Sequence, residues 1–269
     1  MYATYRHPVA RTGAGPTGPA GPAGPARLIP AVVLIPGNAF TDRNGNTPLY
    51  PGSINEIEAV ADWLSADGVA SLRFDRVGSG HTGFGPYAGS RATIGFSIRD
   101  APFEPVEQEA AAGLRFLARQ RAIDRARLGV IGHSEGAMYA LLLAVGMDPQ
   151  GSGPGPLPHV RALGLIEPFH GSWTGRYDPA QWIAGLSPGM PVLVTCSNAD
   201  VQVSCTEVSH LRARLADAGA AIDFVPLTGV DHVLKEDPTG AQGNYTKPLP
   251  FSPQLRQALH SFVQQNLVG

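Results

Sequence analysis

The sequence predicts an α/β protein, a mostly parallel sheet of about seven strands with helices on both faces and a minimal cap. Three observations predict it. Short β-branched runs alternate with stretches in which apolar residues recur at helical spacing, the pattern of repeated βα units. Glycine, proline and capping residues punctuate the ends of those runs. A chain of 269 residues, 43% hydrophobic and 16% charged, can fill one sizeable core and is not a disordered polyelectrolyte.

The elements follow in order. Ala31–Ile35 (AVVLI) reads as a buried strand ending at Pro36-Gly37. Ser53 and Glu56 have capping-box spacing before a helix with Ile54, Ile57, Ala61 and Leu64 on one face, closed by Gly68. Val69–Phe74 is the next strand, and from about Pro105 a helix presents Val106, Ala110, Leu114 and Leu117. Leu128–Ile131 is a strand and Met138–Val145 the body of a helix. Ala162–Ile166 and Pro191–Cys196 are strands, and Ser204 with Glu207 opens a helix that stops at Gly219. Ala221–Leu227 is the last strand, and Ser252-Pro253 starts a final helix with Leu255, Leu259, Phe262 and Val263 inward. All 269 residues are read as a single domain.

The 33 glycines and 25 prolines together make nearly twice the usual share of roughly 12%. Many lie in a GPA-repeat connector over 13–27 and in a loop over 149–158. Four Gly-led triplets in one chain cannot hold a collagen triple helix, so the first reads as an extended solvated connector. A net charge of -2 gives no electrostatic reason to expect nucleic acid or an anionic membrane. The start of the chain lacks the apolar stretch of a secretory leader, and the richest apolar run, Met138–Met147, is far short of the ~20 residues that cross a bilayer. The expected setting is therefore cytoplasmic.

The strongest chemical signal is Gly132-His133-Ser134-Glu135-Gly136, directly after a strand and before a helix. G-x-S-x-G there forces a tight, strained turn that lifts the serine hydroxyl above the sheet. A serine needs a base, and His232, just beyond the last strand in GVDH, can reach back over it. The imidazole needs a carboxylate to fix its tautomer, and Asp200 lies four residues past the strand ending at Cys196. Glu167, after the preceding strand, is the rival acid, while Asp231 more naturally serves its own loop. The chain order Ser134, Asp200, His232 is the one this strand–turn–helix setting uses. Developing charge on a substrate carbonyl calls for two preset donors, here expected from the backbone N–H groups of Glu135 and Asn38.

At these residues the chain resembles the α/β-hydrolase superfamily, in its bacterial esterase and serine-aminopeptidase-like branch. LIPGNAFTDRNGN is similar to that branch's oxyanion loop, GVASLRFDRVGSGHT to its R-x-D-x-R-G-x-G-x-S stretch with Val77 where an arginine is common, GHSEGAMYALLLA to its elbow, and GVDHVLK to its histidine loop. The resemblance implies a serine hydrolase that acts through an acyl-enzyme on a small-molecule ester, thioester or amide, without metal or cofactor. The alternatives to an esterase are a thioesterase, an aminopeptidase-type amide hydrolase, and a hydrolase fold used for binding or a non-hydrolytic step. Oligomeric state, monomer or homodimer, is open.

Two departures shape the expectations. Only Tyr2–Pro8 precedes the GPA connector, so one strand of the usual leading pair is missing. The insertion over 167–189 is short, which leaves the site open and favours a simple esterase. Its aromatics Phe169, Trp173 and Trp182, with Phe40 after the oxyanion loop, are candidate pocket walls and equally plausible packing residues. Gly78-Ser79-Gly80-His81-Thr82-Gly83 matches the dinucleotide fingerprint formally, but no helix can follow over FGPYAG to hold a pyrophosphate. Cys196 and Cys205 flank the Asp200 loop; a bond would clamp it, but two reduced, mostly buried thiols are the preferred reading.

Overall fold

The computed structural model describes residues 1–8, 27–37, 40–85, 103–147, 156–169 and 180–269. Most of the 13–27 connector and the middle of the 167–189 insertion therefore lie outside the described residues. Seven strands form one sheet: β1 (Ala3–Arg6), β2 (Ile29–Ile35), β3 (Ala70–Phe74), β4 (Ile123–His133), β5 (Ala162–Ile166), β6 (Pro191–Ser197) and β7 (Ala221–Leu227), in the order β1-β3-β2-β4-β5-β6-β7. Among the described residues only β1 runs antiparallel in the sheet, pairing Ala3 with Phe74 and Arg6 with Ser71 on β3. Helices α1 (Glu56–Ala66), α2 (Phe103–Arg119), α3 (Gly136–Ala144), α4 (Ala180–Ile183), α5 (Cys205–Asp217) and α6 (Pro253–Val263) complete the layers.

The period of two along β2 sorts the core. Val33 and Ile35 join Leu72, Phe74 and Val130 against α2, α3 and α5, whereas Val32 and Leu34 join Ile131 and Leu193 against α1 and α6. Both faces are thus covered, as a parallel sheet requires. Among the described residues no helix is long and apolar enough to cross a membrane.

Two local readings need correction. Helix α1 begins later than the Ser53 box implies: its N-cap is Asn55, in the left-handed region at φ 63°, and no side chain caps it. Asn55 Oδ1 instead accepts from Asn46 Nδ2, and Asn46 Oδ1 accepts from the backbone N–H groups of Ile54 and Asn55. Glu56 is buried, so it is withdrawn from the surface where a capping glutamate works. Strand β4 is also longer than Leu128–Ile131: it pairs with β2 at Ile123 and again from Leu128 to Gly132, the register shifting over the polar, partly exposed stretch between, which carries no apolar signal. At α5 the box forms as read: Ser204 Oγ accepts from Glu207 N–H and Glu207 reaches back to the Ser204 amide.

Candidate active site at the carboxyl end of the sheet

Residues following β2, β4, β5, β6 and β7 gather at the carboxyl edge of the sheet, where open α/β sheets bind ligands. The turn after β4 carries Ser134 in the left-handed region at φ 52°, a strained position for a residue with a side chain. The two glycines permit it. A Cβ on Gly132 would lie 2.2 Å from the Gly136 carbonyl oxygen, and one on Gly136 would lie 2.3 Å from the Ile35 carbonyl oxygen. Backbone bonds from Ser134 N–H to Ile166 O (3.0 Å) and from Phe169 N–H to Ser134 O (3.2 Å) brace the turn against the segment after β5.

Three of the expected residues come together in a chain of hydrogen bonds. Ser134 Oγ lies 3.1 Å from His232 Nε2, and His232 Nδ1 lies 2.7 Å from Asp200 Oδ2. The other Asp200 oxygen accepts from the amides of Gln202 (2.7 Å) and Val203 (3.0 Å), so both oxygens are committed. Burial opposes ionisation of Asp200, but His232 and those two amides more than offset it and hold the carboxyl below the usual carboxylate range.

Asp231, adjacent to the histidine, accepts at one oxygen from the amides of Val233 and Lys235 and so builds its own loop. Glu167 is fully buried, and it is Asp200 that pairs with His232. The Glu167 carboxyl meets Thr195 Oγ1 (3.3 Å), the Ser197 amide (3.0 Å) and the Asp200 carboxyl. His133 packs to one side of the turn, its Nε2–H donating to the His232 carbonyl at 2.8 Å. Burial first, and the neighbouring His232 second, push its pKa down to about 3, so its ring is neutral.

The Glu135 side chain points away from the hydroxyl, into a buried ion pair missed by reading the sequence. Arg76 donates through Nη2 to Glu135 Oε1 at 3.1 Å and through Nη1 to the Gly37 carbonyl, and stacks 5.5 Å from the Tyr139 ring centre. Tyr139 Oη donates to the same Glu135 oxygen at 3.1 Å. One guanidinium therefore ties the loop after β2 to the turn after β4. The available signal was the arginine one place ahead of Val77, where the family pattern carries its own. Among the described residues the Glu135 amide has no hydrogen-bond acceptor; Asn38 lies outside the described residues.

The loops beside the site are held by Asp75, which accepts from Arg43 N, Nε and Nη2 (2.7–2.9 Å) and from the His81 amide (2.8 Å). Between them lies a cavity of about 530 Å³ lined by Phe40, Pro48, Leu49, Gly78, Ser79, Gly80 and Phe84. Phe40 and Phe84 meet edge to face with centroids 6.1 Å apart. The fingerprint glycines are thus a turn that makes room, as Gly78 N–H to Gly83 O (3.3 Å) and Thr82 N–H to Ser79 O (2.8 Å) attest. Of the other pocket candidates, Phe169 and Trp182 pack against the α2–α3–α5 side of the core, and Trp173 lies outside the described residues.

The cysteine reading is overturned. Cys196 and Cys205 are joined in a disulfide, Cα atoms 5.3 Å apart, that closes the loop carrying Asp200. The spacing alone allowed either state; what decides is that β6 ends and α5 starts side by side, bringing the two Cα atoms into bonding range. Disulfides persist in oxidising compartments, so the bond argues against the cytoplasmic expectation.

No family model and no curated protein matches the chain. Solved structures do. Esterase Est1E of Butyrivibrio proteoclasticus, with ferulic acid bound, aligns over 100% of this chain and 96% of its own at TM-score 0.60 and 15% identity. The chain has the α/β-hydrolase fold. The same arrangement recurs in propionate-bound esterase Est2 of the planctomycete Thermogutta terrifontis (98% and 88% covered, TM-score 0.60, 15% identity). It recurs too in an α/β serine hydrolase without lid from Xanthomonas campestris (98% and 88% covered, TM-score 0.55, 17% identity). Among the described residues the one antiparallel strand of the sheet is β1.

Proposed function

We propose that this protein is a serine hydrolase that cleaves carboxylic esters through an acyl-enzyme. The observation that carries the reading is the Ser134–His232–Asp200 chain of hydrogen bonds at a strained turn of an α/β-hydrolase fold. In the first step Ser134 Oγ attacks the ester carbonyl carbon while His232 Nε2 takes its proton, and Asp200 stabilises the imidazolium. The carbonyl electrons move onto oxygen, which the Glu135 amide, unbonded among the described residues, would receive together with the expected Asn38 amide. Collapse breaks the C–O bond of the leaving group, which takes the proton from His232. Water then attacks the acyl group with His232 again as base, releasing the carboxylic acid and restoring Ser134.

The aromatic cavity of Phe40 and Phe84 supports a substrate with one apolar, roughly planar or short-chain group. Phe40 comes three residues after Gly37, where an added Cβ would be 3.4 Å from Ser134 Cβ. The test is labelling with a fluorophosphonate and hydrolysis of p-nitrophenyl esters of increasing chain length. Wild type takes the label at Ser134 and turns the esters over, whereas Ser134→Ala does neither. Unlabelled wild-type protein sends the reading back to binding or a non-hydrolytic step; preference for thioesters or amides over every ester moves it within the hydrolases.

A further inference from the structure

The second acid at this site has no role in the mechanism above, yet its placement is tightly constrained. Glu167 follows β5 directly, is fully buried, and sits at φ 43°, a left-handed conformation unusual for a residue with a side chain. Thr195 holds it at both ends: its Oγ1 accepts from the Glu167 amide at 3.2 Å and donates to Glu167 Oε1 at 3.3 Å. The Ser197 amide donates to Oε2 at 3.0 Å. The flanking residues Ile166 and Phe169 hold the backbone of Ser134 from both sides. The segment thus grips the nucleophile with its main chain and reaches the acid with its side chain.

Glu167 and Asp200 are near enough for the charge on one to disfavour charge on the other, so one of the two carboxyls holds a proton. Asp200 accepts from His232, Gln202 and Val203, three donors that all favour its charged form. Glu167 is closed off from solvent, with a hydroxyl and one amide for company. The proton therefore resides on Glu167, whose carboxyl burial and the Asp200 charge push well above the usual range.

We propose that Glu167 is a positioning residue for the hydrolysis inferred above: a neutral carboxylic acid whose O–H donates to Asp200, fixing that carboxylate toward His232 and spreading its charge. Asp200 then has four donors and no freedom to turn away. Spreading its charge weakens its hold on the imidazolium, so the base gives its proton to the leaving group more readily. The titratable groups that face this pair are His232 and, beyond it, His133; Tyr245 approaches Asp200 from the far side through Gln202.

Two substitutions separate this role from a merely structural one. Glu167→Gln keeps a neutral donor of the same shape, and Glu167→Leu removes the donor. Each is assayed for kcat and KM against pH, and the His232 ring is followed by 15N NMR without substrate. The Gln variant is expected to keep kcat and the acid limb of its profile. The Leu variant is expected to lose about tenfold in kcat, the worth of one hydrogen bond to a charged group, with KM little changed and the acid limb moved to higher pH. An acid limb that moves to lower pH in Glu167→Gln means that a negative charge was removed, and overturns the proposal. So does a Leu variant with wild-type kcat and limb.

If Glu167→Leu does not fold, infrared spectroscopy decides: one protonated-carboxyl C=O band present in wild type at neutral pH must vanish in Glu167→Gln, and its persistence refutes the assignment. The NMR and infrared readings need no turnover. A protein that proves inactive on all esters therefore counts against the hydrolase reading without touching the protonation of Glu167.

Discussion

Breaking the Cys196–Cys205 bond is the most informative perturbation, because its cost can be worked out beforehand. The bond joins residues nine apart in sequence. On the chain-entropy account, closing a loop of that length removes about 8.7 cal/mol/K from the unfolded ensemble, or about 2.6 kcal/mol at 25 °C. Unfolding entropy for a chain of 269 residues is about 0.56 kcal/mol/K near the midpoint, so the melting temperature should fall by about 5 °C. The double variant Cys196→Ala/Cys205→Ala is compared with wild type by thermal melting, each with and without a thiol reductant. Wild type should melt lower with reductant and the variant should be indifferent to it. The loop also supplies the Gln202 and Val203 amides that hold Asp200, so kcat should drop severalfold in the variant while KM changes little. Two free thiols by intact mass in protein purified without reductant, with no effect of reductant on melting, would refute the bond and restore the reduced-thiol reading.

Four further outcomes are expected. Asp200→Asn should lower kcat by about 10⁴-fold while leaving fold and fluorophosphonate access intact, since the imidazole would then be held in the wrong tautomer; ester kinetics and circular dichroism check it. Arg76→Met leaves the buried Glu135 carboxylate without its cation and should cost about 3–5 kcal/mol in urea unfolding, with a loss in kcat as the two walls of the site come apart. Gly136→Ala puts a methyl 2.3 Å from the Ile35 carbonyl oxygen, a backbone atom that cannot step aside; the variant should express as insoluble protein or melt far below wild type. His133, held neutral down to a pKa of about 3, makes the fold acid-sensitive: the unfolded chain takes up that proton below about 6.5 and the folded chain does not, so stability present above 6.5 is lost as pH falls toward 3. Between pH 7 and pH 5 wild type should lose about 2 kcal/mol more than His133→Asn in urea titrations, and equal losses would contradict the assignment.

What the sequence made legible follows from the range of the interactions involved. Ala162–Ile166 was readable to the residue, because burial on both faces writes a continuous apolar run, and the edge strand Ala221–Leu227 because glycine and turn residues bound an apolar-rich stretch on either side. Ser134, Asp200 and His232 were readable because each follows a strand closely, and parallel strands deliver their ends to one edge. The Arg76–Glu135–Tyr139 cluster was not, because it joins positions 59 residues apart and nothing local distinguishes a buried arginine from an exposed one. Ser53 failed as a cap for a related reason: Asn46, from another turn, had taken the amides that a capping side chain serves. The cysteine pair failed because nine residues of spacing is compatible with a bond or with none, and the choice lies in how β6 meets α5.

The hydrogen bond from His133 to the His232 carbonyl bears on how such a site can change. The residue before the nucleophile grips the main chain of the base directly, so the serine-to-imidazole separation is set by a rigid strut between two backbones. The length of the loops on either side does not set it. Chain could be added in the exposed stretch at 241–243, or the connector before β2 shortened, without detuning the reacting atoms. Variation in such a molecule is then free to accumulate around the rim, where it alters what enters, while the distance that governs proton transfer stays the same.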